Sequence, residues 1–390
     1  MQIYLDYSAT TPPRPEAVIK LQEVLYQQWG NPSSLHAWGQ RAAEVLEMAR
    51  SQVASLIHAT NPETIIFTSG GTEANNLALL GVARCWDQPQ HLIISSVEHS
   101  AIAEPARLLE QRGWQVSRLP VNRQGRVNPL TLKAAIQPNT RLISVIYGQS
   151  EVGTLQPITE LGKIARNRGI PFHTDAVQVA GRLPIDVRQL PIDLLSLSSH
   201  KLYGPQGAGA LYVREGISLI PWLAGGGQEA GLRSGTQALP AIAGFGVAAE
   251  LALQELTAEA PRLAALRERL FERLADCPYL QPTGDRLYRL PHHASFIVTP
   301  AEQVTGKTLV RQLNLAGIGI SAGSACQSGK LRPSPVLLAM GYSETEALAG
   351  IRLTLGRQTE AEDIDWTASA LQQILTRLLP QLAVAGDRHW

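Results

Sequence analysis

Lys201, in "SLSSHKLYGPQGAGALYV", follows a buried-looking apolar run and precedes two glycine-rich turns. Such a lysine at a strand's carboxyl end sits where open α/β sheets bind ligands, and partial desolvation there tunes an amine toward Schiff-base chemistry. Taken alone it also reads as a solvated loop lysine. The turn "TSGGTEANN" joins an apolar run to a helical one, so its backbone N–H groups and the helix dipole favour an anion. It is neither a Walker A loop nor a G-x-G-x-x-G fingerprint, and by itself it is weak. In "FHTDAVQVAG" Asp175 ends an apolar run with Gln178 three residues on, and a helix N-cap is the plain alternative. "SSVEHSA" puts Glu98 and His99 after "HLIIS", where a lone histidine also reads as structural. Lastly, "SAGSACQSGK" sets Cys326 among small polar residues with Gly323 and Gly329 either side, a setting unlike that of a buried cysteine.

These residues need a scaffold that brings them together. "TIIF", "HLIISS", "WQVSRL", "RLISVIY", "PFHTDA", "IDLLSLS" and "GAGALYV" are short strand candidates, and helical stretches such as "AIAEPARLLEQRG" and "PITELGKIARNRG" separate most of them. That alternation predicts an α/β fold with a mostly parallel seven-stranded sheet flanked by helices. Helices are also expected in "RPEAVIKLQEVLYQQWG", over Gln40 to Ile57, and from Leu239 to about Ala275. Beyond them "ASFIVT", "TLVRQLNLAG", "IGIS", "PVLLAMG", "GIRLTL" and a last helix predict a smaller α+β domain. The expected division is a large domain over 15–255 and a small one from 1–14 with 256–390. The small one carries the cysteine stretch, about 321–333, as a mobile arm. A phosphate-binding turn, a strand-end Asp, a strand-end His and a Lys, in that order on one sheet, are the parts needed to hold pyridoxal phosphate.

Composition excludes several classes. The chain has 390 residues, 44% of them hydrophobic, and a formal net charge of +1, so bulk electrostatics favour neither nucleic acid nor an anionic membrane. The start "MQIYLDYSATTPP" lacks a basic region and a long apolar run, so no signal peptide is expected, and no unbroken run is long enough to predict a membrane span. Cys85, Cys277 and Cys326 are far apart without a CxxC pair, which predicts no local metal knuckle and a reducing, cytoplasmic setting.

The sequence resembles the cysteine desulfurases of the NifS/IscS type, class-V aminotransferase-like members of fold type I of the pyridoxal-phosphate enzymes. The resemblance runs nearly end to end through "YLDYSATTP", "NPSSLHAWG", "FTSGGTEANN", "EHSA", "HTDAVQVAG", "SSHKLYGPQGAGALYV", "GGGQEAGLRSGT", "SAGSACQS" and "IRLTLGR". It implies Lys201 as the Schiff-base lysine, Asp175 as partner of the pyridine nitrogen, and His99 as ring-stacking acid/base. Gln178 would approach the ring hydroxyl. Gly71, Thr72, Ser198 and His200 would hold the phosphate, with Thr236 reaching it from the second subunit of a homodimer. Asn31 and Arg352 would bind the substrate carboxylate, and Cys326 would accept sulfur. The implied reaction converts L-cysteine to L-alanine and leaves a persulfide on Cys326 for a sulfur-acceptor protein, such as an iron–sulfur scaffold or a carrier for tRNA thiolation. A selenocysteine lyase or an aminotransferase is the alternative within the same fold. A non-catalytic scaffold is the alternative outside it. The chain departs from the family where "SEVG" puts Ser150 in place of an asparagine near the ring hydroxyl, and in the small-residue swaps "SSHK" and "TSGGT".

Overall fold

A computed structural model describes residues 2–323 and 332–380. In chain order β1 (Ile3–Tyr4) precedes α1 (Pro15–Gln27) and α2 (Ala37–Leu56). Next come β2 (Ile65–Thr68), α3 (Gly71–Ala83), β3 (His91–Ser95), α4 (Ser100–Gln111), β4 (Gln115–Leu119), α5 (Pro129–Ala135) and β5 (Thr140–Ser144). They are followed by α6 (Ile158–Arg166), β6 (Phe172–Asp175), β7 (Leu194–Ser198), β8 (Gly209–Val213) and α7 (Leu239–Arg273). The remainder is β9 (Leu280–Pro282), β10 (His293–Val298), α8 (Gly306–Leu315), β11 (Ile318–Gly319), β12 (Ser321–Ala322), α9 (Pro335–Ala339), α10 (Glu344–Leu348), β13 (Gly350–Thr354) and α11 (Ala361–Leu378).

The continuous Ile, Leu and Val runs bury both faces of their strands, as a helix-covered parallel sheet requires. β2, β3, β6, β7 and β8 are buried throughout. The seven strands stand in the order β2-β8-β7-β6-β5-β3-β4, and β8 alone runs against the rest. The carboxyl ends of β2, β3, β5, β6 and β7 therefore share one edge, the usual ligand edge of an open α/β sheet.

A second sheet, β12-β13-β10-β9, is antiparallel, and β1 pairs with β11 beside it. The 35-residue α7 joins the two halves. Leu239, Ile242 and Phe245 pack in the core under the large sheet, whereas Leu263, Leu270 and Phe271 pack in the small-sheet core with Ile3 and Leu5. α7 is long and apolar enough to cross a bilayer, but its apolar side chains are committed to these two cores.

Local chemistry explains where element ends depart from expectation. α2 starts three residues before Gln40 because His36 caps it, its Nδ1 accepting from Gly39 N at 3.2 Å. "IGIS" splits into β11 and β12, which pair with β1 and β13 respectively, because one short stretch serves two sheets. α5 and β9 were not anticipated. α5 is announced only by an Asn128–Pro129 start, with Asn128 Oδ1 accepting from Leu130 N at 2.9 Å.

Candidate active site

A cavity of about 310 Å³ opens at the shared strand edge, and Lys201, Asp175, His99, Gln178, Gly71, Thr72, Ser150, Ser198, His200 and Arg352 all line it. Their sequence positions span more than 280 residues, so the sheet topology assembles them.

Each large-sheet residue is placed by the turn following its strand. Asp175 is the last residue of β6 and is buried, with Oδ2 accepting from Asn75 Nδ2 at 2.7 Å and Oδ1 from Val177 N at 3.0 Å. No helix begins after Asp175, so the N-cap alternative fails: one oxygen closes a turn on Val177 N, while the other is held by Asn75 of α3. His99 caps α4, its Nδ1 accepting from Ala101 N at 3.1 Å. Because a backbone N–H only donates, the proton of the neutral ring lies on Nε2. Lys201 ends a short 3₁₀ turn after β7, and Nζ donates to the carbonyl oxygens of Ser8 and Ala9, both at 2.6 Å. Gln178 Nε2 donates to the same Ser8 carbonyl at 2.9 Å.

At the other end of the cavity Gly71 and Thr72 open α3, whose first backbone N–H groups have no intrahelical acceptor. A Cβ on Gly71 would lie 2.8 Å from Val177 Cγ2, so only glycine lets this turn come close to the β6 and β7 loops. Ser198 adds a buried hydroxyl, and His200 Nδ1 lies 3.1 Å from Thr10 Oγ1. Burial, helped by the Lys201 charge, pulls His200 down to about 4, which keeps its ring neutral.

The opposite wall belongs to the small sheet and the chain start. Arg352, in β13, donates from Nη2 to Asp6 Oδ1 at 2.7 Å and from Nη1 to the Ser150 carbonyl at 3.0 Å. Glu151 also lines the cavity and accepts from Ser334 Oγ at 2.5 Å. Burial, opposed by Ser334 and Arg352, pushes Glu151 up to about 7. Behind His99, buried Glu98 ties the ends of β3 and β5: its Oε1 accepts from Ser95 Oγ at 2.5 Å and Ile146 N at 2.9 Å, while Oε2 has no partner. Burial, seconded by the nearby Asp175 charge against those hydrogen bonds, pushes Glu98 up to about 8.

Two expected site residues lie away from the cavity. Asn31 Oδ1 accepts from Ser33 N at 2.9 Å in the turn between α1 and α2. Thr236 lines a separate cavity of about 80 Å³ with Thr68, Ser69 and Arg233. Its segment is pinned by buried Glu229, which accepts from Phe67 N at 2.8 Å and from Arg50 Nη1 at 2.7 Å. Cys326 lies outside the described residues; Cys277 is buried and Cys85 exposed.

Sequence reasoning missed Asn75, Ser8, Ala9, Asp6 and Glu151. Asn75 was visible in "TSGGTEANN", and the "YLDYSATTP" motif contains Asp6, Ser8 and Ala9. The acceptors at 8 and 9 are backbone carbonyls, which residue type does not reveal. No group of three or more His, Cys, Asp or Glu placed to hold a metal occurs among the described residues.

Comparison with known proteins identifies the family. The family described as aminotransferase class-V matches residues 3–366. "Cysteine desulfurase IscS" of Dictyoglomus turgidum is 44% identical over 97% of this chain and 95% of its own length. A solved "NifS-like protein" superposes with a TM-score of 0.90 at 32% identity, covering 97% of this chain and all of that one. A structure described as "SspA in complex with cysteine" has a TM-score of 0.80 at 35% identity, covering 91% of this chain and 99% of the other. The chain belongs to the class-V aminotransferase family and, within it, to the cysteine desulfurases.

Proposed function

We propose that this chain uses pyridoxal phosphate to move the sulfur of L-cysteine onto Cys326, releasing L-alanine. The observation that carries the reading is the meeting of Lys201, Asp175, His99 and Arg352 around one cavity with a helix N-terminus at its end. The donor set fits the cofactor. The α3 N-terminus, Thr72, Ser198 and His200 would hold a phosphate, Asp175 would face a ring nitrogen, and Lys201 would hold the aldehyde carbon. Gly71 packs too close to Val177 for a Cβ, which keeps the α3 turn at the cavity wall beside Thr72, Ser198 and His200. When bound, pyridoxal phosphate supplies an electron sink for the electrons released at the substrate Cα.

The chain's own residues supply the rest. Arg352 grips the substrate carboxylate with charge-assisted hydrogen bonds. Lys201 Nζ takes the Cα proton, and His99 Nε2 exchanges the thiol proton. The Cys326 thiolate attacks the substrate sulfur; the new S–S bond forms as the Cβ–S bond breaks, its electron pair stays on carbon, and a proton completes alanine. The balance is L-cysteine plus a cysteine thiol giving L-alanine plus a cysteine persulfide. Asn31 and Thr236 complete the site in this reading, Asn31 toward the substrate carboxylate and Thr236 across a homodimer interface. The exposed Ile19, Tyr26, Trp29, Trp38 and Met48 of α1, α2 and the turn between them support that interface. A sulfur-acceptor protein, such as an iron–sulfur scaffold, would then unload the persulfide, in a reducing cytoplasm that keeps the thiol free.

The test is to incubate enzyme with L-cysteine without reductant and map added sulfur by mass spectrometry. One extra sulfur on Cys326 with an equivalent of alanine is expected. Sulfur confined to Cys85 or Cys277, or alanine formed at an undiminished rate by Cys326→Ala, overturns the reading.

A further inference from the structure

The small-sheet face that meets the cavity carries a histidine to which neither the sequence motifs nor the proposed reaction gives a role. β10 and β13 pair with His293 opposite Thr354 and Ser295 opposite Arg352, so these four side chains share one face. That face holds two backbone pieces of the cavity rim. Ser8 N donates to Thr354 Oγ1 at 2.9 Å, and the Ser150 carbonyl receives both Arg352 Nη1 at 3.0 Å and His293 Nε2 at 3.1 Å.

The His293 contact has one chemical reading. A carbonyl only accepts, so Nε2 carries the proton. Nδ1 is buried without a partner, and a neutral ring with a bare Nδ1 costs less there than a charged one. Burial and nearby arginines hold the His293 pKa well below its ordinary value, in the same direction. The ring also seats the 149–153 turn: Gly153 has φ +76°, and a Cβ there would lie 2.7 Å from the ring. Two donors occupy both lone pairs of the Ser150 carbonyl, so the carbonyl's position sets where the Arg352 fork points. The other arm of that fork is on Asp6, and Nε is buried without a partner.

We infer that His293 is a positioning residue that, by fixing the Ser150 carbonyl, aims Arg352 at the carboxylate of the amino-acid substrate. This rests on the reading of Arg352 as the carboxylate group of the site. His293 touches no reacting atom, so its loss weakens binding and leaves the chemical step intact.

The experiment uses holoenzyme and reads KM for L-cysteine, kcat, and the dissociation constant of L-alanine. His293→Met keeps volume and removes the donor; His293→Gln keeps an N–H donor at comparable reach. The expected result for His293→Met is a roughly tenfold rise in KM and in the L-alanine dissociation constant, the size of one lost charge-linked hydrogen bond, with kcat within about twofold. His293→Gln restores both constants to within about threefold. If His293→Met does not fold, His293→Leu carries the same expectation, and thermal unfolding identifies folded variants. Unchanged constants in a folded donor-less variant, equal loss of kcat and kcat/KM, or absence of rescue by His293→Gln overturns the inference. Arg352→Gln separates the two levels. If it weakens L-alanine binding while His293→Met and His293→Leu do not, only the His293 role fails. If it leaves L-alanine binding unchanged, the carboxylate reading itself fails, and the inference with it.

Discussion

The two walls of the cavity are built on different principles. On the large-sheet wall, Asp175, Lys201 and His99 each stand within a few residues of a strand's end. Their positions follow from short-range geometry: an apolar run ends, the chain turns, and the next side chain is left at the edge. On the small-sheet wall, Arg352 lies inside a strand and is aimed by Asp6 and Ser150, partners 346 and 202 residues away in sequence. The first wall needs only the sheet; the second needs β10, β13, the chain start and the 149–153 turn in register. In the proposed reaction the large-sheet wall does chemistry and the small-sheet wall holds substrate, so damage to the two should separate in kcat and KM.

The sharpest break of that contrast is Lys201→Ala. Turnover is expected to fall by at least about a thousandfold, since one amine serves as cofactor anchor and base. Single-turnover alanine formation checks it, and a drop under tenfold would remove Lys201 from the chemistry. Next, Arg352→Gln is expected to raise KM for L-cysteine roughly ten- to a hundredfold while changing kcat by less than about fivefold. Steady-state kinetics that instead showed the loss in kcat would place Arg352 with the chemical wall.

Glu98 sharpens the comparison through stability. Its folded pKa of about 8 lies above the ordinary carboxylate range, so the unfolded chain loses this proton first. The contribution is fully present below about pH 4, falls as pH rises, and is exhausted above about 8. Glu98→Gln keeps an acceptor for Ser95 and Ile146 without an ionisable proton. Urea unfolding is expected to show it near wild type at pH 5 and more stable by about 4 kcal/mol at pH 8.5. A gap that stays constant with pH would mean Glu98 is ionised in the folded protein.

The smallest effect is expected from Ser150→Asn, which introduces the asparagine that the resemblance implies at this position. The described hydrogen bonds of residue 150 to Arg352 and His293 use its carbonyl oxygen, so kcat and KM should each change by less than about threefold. A tenfold gain in kcat would show that the serine side chain limits the enzyme.

Legibility follows the same division. The α/β alternation, the strand edges and the three strand-end residues Asp175, His99 and Lys201 were readable because period, apolar runs and turns are local properties. Asn75 stood inside a recognised motif, yet its bond to Asp175 spans 100 residues and appears only when α3 meets β6. Glu98 and Glu151 read as ordinary acidic residues, because desolvation is a property of the surroundings rather than of the residue. Ser8 and Ala9 contribute carbonyl oxygens, which every residue type carries.

By itself, then, the sequence determined which chemical groups exist and which strand ends present them, since hydrophobic period and turn chemistry act over a few residues. The tertiary structure alone decided where Arg352 points, which carbonyls receive Lys201, and which carboxyls are pushed toward neutrality. Those properties depend on distances and solvent access between segments far apart in sequence, and the meeting of the chain start, the 149–153 turn and β13 at the cavity creates the contacts of Lys201 and Arg352.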